Sequence, residues 1–344
     1  MKSLPLLGWL AAGLLLAVTT GCQQGPARTK VAFVTNNPET FWTIAEKGCT
    51  KAEKEFDVEV LFRRPDPGTA ARQTDIINDL LNQDIKALAV SVNDPPGQTK
   101  HLKEIAAKVP LLTQDNDAPQ CGRLCYLGTD NYKAGRAVGQ LVKEVLPDGG
   151  VLAIFVGKIE PLNARQRRQG LLDELAGKPE PKDTNEIDYG EDDAMYGKYR
   201  LVRTYTDQAI GAKANENATD ALTALGDEKN LCFIGLWAYN PPAILSAVRD
   251  KNKLGQVKIV GFDENEATLQ GIIDGHIHGT VVQNPFEFGY RAVRIMAALA
   301  RGDRSELPKD GTMYIPHRVI TKDGGKDRIP AAKFQQELHE LMNQ

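Results

Sequence analysis

Short apolar segments alternate with amphipathic helical segments along most of this 344-residue chain. VAFV (31–34) and LAIFV (152–156) are entirely apolar, whereas residues 41–56 place apolar side chains at helical spacing. This alternation is typical of parallel sheets with helices on both faces. The repeating units form two groups, one on each side of about Gly128. We therefore predict an α/β fold of two doubly wound, Rossmann-like, parallel-sheet domains.

The same pattern locates the individual elements. The predicted strands are residues 30–35, 58–62, 86–92, 110–113, 123–128, 150–157, 199–204, 231–236, 257–262 and 279–283. The predicted helices are residues 41–56, 69–82, 101–108, 134–146, 163–176, 209–225, 241–249, 266–273 and 286–300. Residues 177–198 are acidic and lack an apolar period, so we interpret them as a surface loop.

The N-terminal segment has the features of an export signal. Lys2 is the only charge before Arg28, and a largely apolar run leads to TTGC. This run is too short and too rich in glycine for a transmembrane helix, and TTGC resembles a bacterial lipidation site. We predict a signal peptide over residues 1–21, lipidation of Cys22, a linker over residues 22–29 and a lipid-anchored location in the periplasm or cell envelope. An uncleaved anchor is the alternative.

Overall charge argues against a nucleic-acid partner. The chain has 42 basic and 45 acidic residues, a net charge of −3 and no run of five basic residues. A calcium loop is conceivable in the acidic segment 177–198, but its spacing matches no EF-hand. No histidine lies near the cysteines at zinc-ligand spacing. We therefore predict no metal and no cofactor.

Four cysteines follow the lipidation site: Cys49, Cys121, Cys125 and Cys232. Only Cys121 and Cys125 are close in sequence. A disulfide between them fits an exported protein, and burial of Cys125 as a free thiol fits its apolar surroundings. The sequence leaves both open.

Hydrogen-bonding side chains follow the predicted strands of both groups. They include Asn36, Asn37, Asn93, Asp94, Asp115, Asn116, Arg165, Asn240, Asp263 and Gln283. Each alone has an ordinary explanation as a turn, capping or solvated residue, although Gln283 fits least well because it ends an apolar strand. Ligands of open α/β sheets bind beyond the carboxyl ends of the strands. The joint pattern therefore predicts a ligand-binding cleft formed by both domains.

Two adjacent aromatic residues, Phe41 and Trp42, follow Asn37, although aromatic residues make up only 6% of the chain. Aromatic faces stack on the apolar face of a sugar ring, and carboxylates, amides and guanidinium groups suit its hydroxyls. Hydrogen bonds to charged groups contribute about 1.5–3 kcal/mol each, and micromolar binding needs about 8 kcal/mol. This chemistry favours a small sugar or polyol.

Seven motifs, in the order TNNPETFW, TQDND, GTDNYKAG, NARQRRQG, WAYNPPAILSAV, IVGFDENE and GTVVQNPFEFGY, carry a family resemblance. Together they resemble the type I periplasmic sugar-binding proteins of ABC importers, especially ribose-binding proteins, over about residues 30–320. The resemblance implies three crossover hinge segments, near residues 128–130, 282–285 and 311–314. It also implies a monomer without enzymatic activity that delivers its sugar to a membrane permease.

The resemblance further implies the lobes and the site. The N-terminal lobe is expected at residues 30–129 plus 284–312, and the C-terminal lobe at 130–283 plus 313–330. The expected ligand-binding residues are Asn37, Phe41, Trp42, Asp115, Arg165, Asn240, Asp263 and Gln283, with Asn36, Asn116, Asp207 and Trp237 as further candidates. Trp237 and Tyr239 flank the Asn240 motif and offer additional aromatic surface.

Three departures from the family motifs leave the particular sugar open. Asn116 stands where ribose binders have an arginine. The segment containing Asp207 replaces a family aromatic residue, and Asp207 is a candidate contact instead. An insertion of Glu39 and Thr40 leaves open whether Phe41 or Trp42 stacks on the ligand.

Other functions are weighed against this one. A sugar sensor that acts on a chemoreceptor or sensor kinase would have the same sequence features. An exported glycosidase could use Asp115 and Asp263, but neighbouring Arg165 and amides are expected to lower their pKa values, whereas a general acid needs a raised one. Lactose-repressor-type regulators share the fold, but a signal peptide stands here where they have a helix-turn-helix.

Overall fold

The computed structural model describes residues 1, 28–187 and 190–343, which form two β-sheets. The first sheet contains β1 (Thr29–Val34), β2 (Val58–Arg63), β3 (Leu88–Val90), β4 (Leu111–Gln114), β5 (Cys125–Gly128) and β12 (Thr312–Tyr314). The second contains β6 (Gly150–Val156), β7 (Ala194–Tyr196), β8 (Tyr199–Thr206), β9 (Leu231–Gly235), β10 (Lys258–Phe262), β11 (Gly279–Val282), β13 (Arg318–Thr321) and β14 (Arg328–Pro330).

Ten α-helices connect and cover these strands in the described part of the chain. They are α1 (Phe41–Glu55), α2 (Ala70–Leu81), α3 (Pro95–Ala106), α4 (Asn131–Val145), α5 (Leu162–Ala176), α6 (Gly211–Leu225), α7 (Asn240–Asp250), α8 (Glu266–Ile273), α9 (Pro285–Ala300) and α10 (Ala331–Met342). Helices α1 and α9 bury one face of the first sheet, and α2 and α3 bury the other. Helices α4 and α5 cover one face of the second sheet, and α6, α7, α8 and α10 cover the other.

The two sheets share the strand order of a five-stranded parallel core, β5-β4-β3-β1-β2 in the first and β11-β10-β9-β6-β8 in the second. The first has the order β12-β5-β4-β3-β1-β2, with every pairing parallel. The second has the order β14-β13-β11-β10-β9-β6-β8-β7. Strand order reverses beside β1 in the first sheet and beside β6 in the second, which places a binding crevice at the carboxyl ends of both. The prediction of two doubly wound parallel-sheet domains is confirmed.

Some elements differ from the sequence prediction. Two strand pairs are antiparallel, β7 with β8 and β11 with β13. Strand β7 lies inside the predicted surface loop 177–198, where Gly197, at a φ of 64°, turns the chain into a hairpin with β8. Helix α3 begins at Pro95 rather than at residue 101, because the Asp94 side chain caps its first turn. Helix α10 lies beyond the predicted lobes and was not predicted.

The chain passes between the sheets after β5, after β11 and after β12. These connections give the molecule three crossovers, and the predicted third crossover falls on β12. Apart from residue 1, the predicted signal peptide and the proposed lipidation site Cys22 lie outside the described residues. Within the described ranges, no helix is both long and apolar enough to span a bilayer. Cys49, Cys121, Cys125 and Cys232 are all buried free thiols.

Glycines allow α4 and α5 to pack backbone to backbone. A Cβ atom placed on Gly170 would lie 2.0 Å from the carbonyl oxygen of Tyr132, and one on Gly135 would lie 2.2 Å from that of Arg167. Real Cβ atoms do not approach backbone so closely, so only glycine fits at these crossings. This contact fixes the part of α5 that carries Arg167.

We predict that Gly170→Ala lowers the free energy of unfolding by about 1–3 kcal/mol, because the added methyl group must separate α4 from α5. Urea unfolding followed by circular dichroism measures the change. Gly211→Ala at the start of α6 is the matched control, since no atom lies within 4 Å of its added Cβ. Equal stability of the two variants would contradict the close-packing argument.

Candidate ligand-binding cleft

A cleft lies beyond the carboxyl ends of strands from both sheets. Its lining residues are Asn36, Asn37, Glu39, Phe41, Trp42, Asp115, Asn163, Arg167, Trp237, Ala238, Tyr239, Asp263 and Gln283. The cleft thus joins the ends of β1 and β4 to those of β9, β10 and β11.

Two aspartates enter the cleft by the same backbone turn. Asp115 follows β4 with a φ of 58°, and Asp263 follows β10 with a φ of 65°. Both are left-handed conformations, which aspartate tolerates better than most residues. The Asp115 N–H donates to the Leu127 carbonyl at 3.2 Å and the Asp263 N–H to the Val281 carbonyl at 2.8 Å. Neighbouring strands therefore hold both turns.

Arg167 is buried beside Asp263 and acts electrostatically on Asp115. Its Nη1 lies 3.8 Å from Asp263 Oδ2, and its guanidinium centre lies 4.0 Å from the centroid of the Phe262 ring. Its Nε donates to Asn131 Oδ1 at 2.9 Å. We call Asp115, Arg167 and Asp263 the Asp–Arg cluster. It places one cation against two anions, and the anions come from different sheets.

Burial dominates the acidity of both aspartates. It raises the pKa of Asp115, although the charge of Arg167 and a hydrogen bond from Ser91 oppose the shift. Burial also raises the pKa of Asp263 to about 6, against opposing effects of Arg167 and Gln283. The expectation that both pKa values lie below normal is therefore wrong, because desolvation outweighs the lowering by arginine and amides.

Five buried polar atoms of the lining have no hydrogen-bond partner. They are Asn36 Oδ1, Asn163 Oδ1, Arg167 Nη2, Trp237 Nε1 and Gln283 Oε1. Three are acceptors and two are donors. Buried polar groups are nearly always satisfied in native proteins, so such a group of them indicates a polar ligand. A hydroxyl group donates and accepts, and therefore suits this mixture.

Aromatic side chains form two walls of the cleft. Trp42 is only 1% exposed and donates from Nε1 to Asn37 Oδ1 at 3.1 Å, so it belongs largely to the core. Phe41 is half-buried and packs edge-on against Trp42, with ring centroids 5.0 Å apart. On the second domain, Trp237 and Tyr239 pack edge-on at 6.3 Å. Apolar surface is thus available from both domains.

The predicted arginine does not line the cleft. Arg165 and Arg167 both lie in the first turns of α5, and Arg167 is the one that reaches the cleft. Residues two apart on a helix point in different directions, so only one of the pair can face Asp263. The NARQRRQG motif contains Arg165 and Arg167, and the motif alone does not show which of them faces the cleft.

Three further candidates lie behind the lining rather than in it. Asn240 Nδ2 donates to Asp207 Oδ2 at 2.9 Å, and Asn240 Oδ1 accepts from the Trp237 N–H at 3.0 Å. Tyr239 donates from its hydroxyl to Asp207 Oδ1 at 2.6 Å. Asn240 and Asp207 therefore position the aromatic pair. Asn116 Oδ1 accepts from the Asn163 N–H at 3.1 Å and so joins the two domains.

The structure brings together Asn36, Asn37, Phe41, Trp42, Asp115, Trp237, Asp263 and Gln283 from the predicted set. Sequence reasoning missed Glu39, Asn163, Arg167 and Ala238 as lining residues and did not include Tyr239 in the site. Glu39 stood out only as part of the insertion, and Asn163 only as a polar residue near the start of a helix. Direct ligand contact by any of these residues stays a prediction.

Three crossovers join the two doubly wound domains, and residues of both domains line the cleft between them. This arrangement defines the type I periplasmic binding protein class. A family model described as "Periplasmic binding protein domain" matches residues 31–304, and the chain belongs to this family. The resemblance seen in the sequence is therefore confirmed.

Curated relatives and solved structures agree with this assignment. The ribose import binding protein RbsB of Bacillus subtilis is 23% identical over 78% of this chain and 80% of its own length. The D-allose-binding periplasmic protein of Escherichia coli is 24% identical over 76% and 80%. An ABC transporter solute binding protein from Burkholderia graminis, solved with D-arabinose, has a TM-score of 0.76 and 25% identity over 86% of this chain and 96% of that chain. These relatives are binding proteins rather than enzymes.

We predict that Asp263→Asn raises the stability of the ligand-free protein by about 1–3 kcal/mol at pH 7.5, because it removes a buried carboxyl group whose pKa is raised to about 6. The raised pKa means that the folded state disfavours the ionised form. Ionisation of Asp263 therefore lowers the free energy of unfolding. This effect is absent below about pH 4, grows between about pH 4 and 6, and is complete above about pH 6.

Urea unfolding at pH 4.5 and pH 7.5 measures this effect. The increase in the free energy of unfolding caused by Asp263→Asn should be larger at pH 7.5 than at pH 4.5. Asp79→Asn, on the exposed side of α2, is the matched control and should change little at either pH. A loss of stability, or a gain that does not depend on pH, would contradict the assignment.

Proposed function

We propose that the protein is an exported substrate-binding lipoprotein of a carbohydrate ABC importer. It binds a small sugar or polyol in the cleft and delivers it to a membrane permease from the periplasm or cell envelope. The observation that carries this proposal is the group of five partnerless polar atoms beside aromatic surface. The relatives named for import of ribose and for binding of allose and arabinose support the same ligand class.

Ligand binding is proposed to close the two lobes. Asp115 and Phe41 belong to one lobe and Arg167 and Asp263 to the other, so a sugar in contact with both stabilises the closed arrangement. The lobes already meet through the bond from the Asn163 N–H to the Asn116 side chain. The two lobes, each built on one of the sheets, would rotate about the three crossovers.

The chemistry of the cleft provides enough free energy for this role. Arg167 and the two aspartates offer charged hydrogen bonds of about 1.5–3 kcal/mol each. A handful of these bonds plus stacking exceeds the 8 kcal/mol or so that micromolar binding needs, after the cost of ordering the ligand. Binding without turnover agrees with the relatives, and Asp263 here serves as a hydrogen-bonding group.

A thermal-shift screen of pentoses, hexoses, deoxysugars and inositols tests the ligand class. We expect at least one of them to raise the melting temperature in proportion to the logarithm of its concentration, because it binds only the folded state. Asp263→Ala should remain folded and lose the shift, whereas Asp79→Ala should keep it. The sugar-binding proposal fails if no member of the panel shifts the wild-type protein.

Lipid anchoring is tested separately. In cells, Cys22→Ser should move the protein from the membrane fraction to the soluble fraction and prevent metabolic labelling with a fatty-acid analogue. Cys49→Ser, which alters a buried cysteine of α1, is the control and should stay membrane-associated. Unchanged fractionation of Cys22→Ser would contradict a lipid anchor at this residue.

A further inference from the structure

The lining of the cleft carries more negative than positive charge. Three carboxylates, Glu39, Asp115 and Asp263, line it together with one guanidinium, that of Arg167. Arg167 acts on both aspartates, yet neither is brought below its ordinary pKa. One guanidinium offsets at most one unit of negative charge. The third carboxylate, Glu39, therefore has no counter-charge in the lining.

Glu39 has a defined position at the cleft. Its N–H donates to Asn37 Oδ1 at 3.0 Å, which holds the backbone beside the ligand space. Glu39 and Tyr239, which comes from the opposite lobe, line the same cleft. Burial and Asp207 raise the pKa of Tyr239, and the charge of Glu39 adds to this effect. Partial burial raises the pKa of Glu39 itself. Among the described residues, no hydrogen bond or ion pair satisfies its carboxylate.

The surroundings of Glu39 also suit a cation. Phe41 lies two residues further along the chain, and Trp237 and Tyr239 line the opposite wall. Aromatic faces carry negative electrostatic potential and attract ammonium groups. Glu39 and these aromatic faces therefore favour a positively charged group on the ligand.

We propose that the ligand is a sugar that carries a protonated amino group. The amine would lie at Glu39 and Tyr239, and the ring hydroxyls would bind the Asp–Arg cluster. This inference rests on the proposed function and narrows its ligand class. A neutral sugar in the cleft would supply no counter-charge to the Glu39 carboxylate, whereas an ammonium group supplies both hydrogen-bond donors and a positive charge.

Calorimetric titration with matched sugar pairs tests the proposal. The pairs are glucosamine with glucose, galactosamine with galactose, and mannosamine with mannose, and each amine is also titrated in its N-acetylated form. In at least one pair we expect the amine to bind at least 10-fold more tightly than its neutral partner. Acetylation, which removes the charge, should abolish that preference.

Glu39→Gln provides the second readout, because it removes the charge and keeps the size of the side chain. In this variant, the ratio of the affinity for the amino sugar to the affinity for its neutral partner should fall towards one. Glu104→Gln, on an exposed position of α3, should leave the ratio unchanged. Neutral sugars that bind as tightly as their amines in every pair would overturn the amine proposal and leave the sugar-binding function intact.

Two other outcomes are also decisive. A preference that persists in Glu39→Gln would overturn the role of this residue in selecting the amine. Failure of every amino and neutral sugar, both in these titrations and in the thermal-shift screen, would contradict the sugar-binding function as well. The two proposals can therefore fail separately.

Discussion

One guanidinium shared by two buried carboxylates is the interaction on which the cleft depends. Arg167 comes from α5 in the second domain, Asp115 from the end of β4 in the first, and Asp263 from the end of β10. Burial of three ionised groups away from water lowers the stability of the folded protein unless a ligand completes their hydrogen bonds. The cluster therefore favours the arrangement in which both domains surround a polar molecule.

Packing far from the ligand makes this cluster possible. The close contact of α4 with α5 requires Gly135 and Gly170, and it orients the helix from which Arg167 projects. The Asn131 side chain at the start of α4 then holds the Arg167 Nε. The left-handed turns at Asp115 and Asp263 complete the arrangement. Rigid elements thus fix the polar groups, and the crossovers between the lobes provide the proposed movement.

The sequence predicted the fold and much of the cleft because both follow from periodicity. Alternating strands and helices determine the sheets, and strand ends determine where Asp115, Asp263 and Gln283 converge. The choice of Arg167 over Arg165 depends on the rotation of one helix, which a motif does not specify. Asn240 looked like a ligand residue, but its side chain is occupied by Asp207 and the Trp237 backbone. Such partners come from distant parts of the chain, so local sequence could not reveal them.

Glu39 links these observations to specificity. It is partly exposed at the edge of the cleft and places a carboxylate in the same lining as Tyr239. In the proposed function, the more deeply buried Asp–Arg cluster binds ring hydroxyls, which many sugars share. A charged group at the lip distinguishes ligands by a single substituent, because an unmatched charge at a partly dry site weakens binding of every ligand that lacks its counterpart. In the proposed function, general affinity and particular selectivity thus arise from different parts of the same cleft.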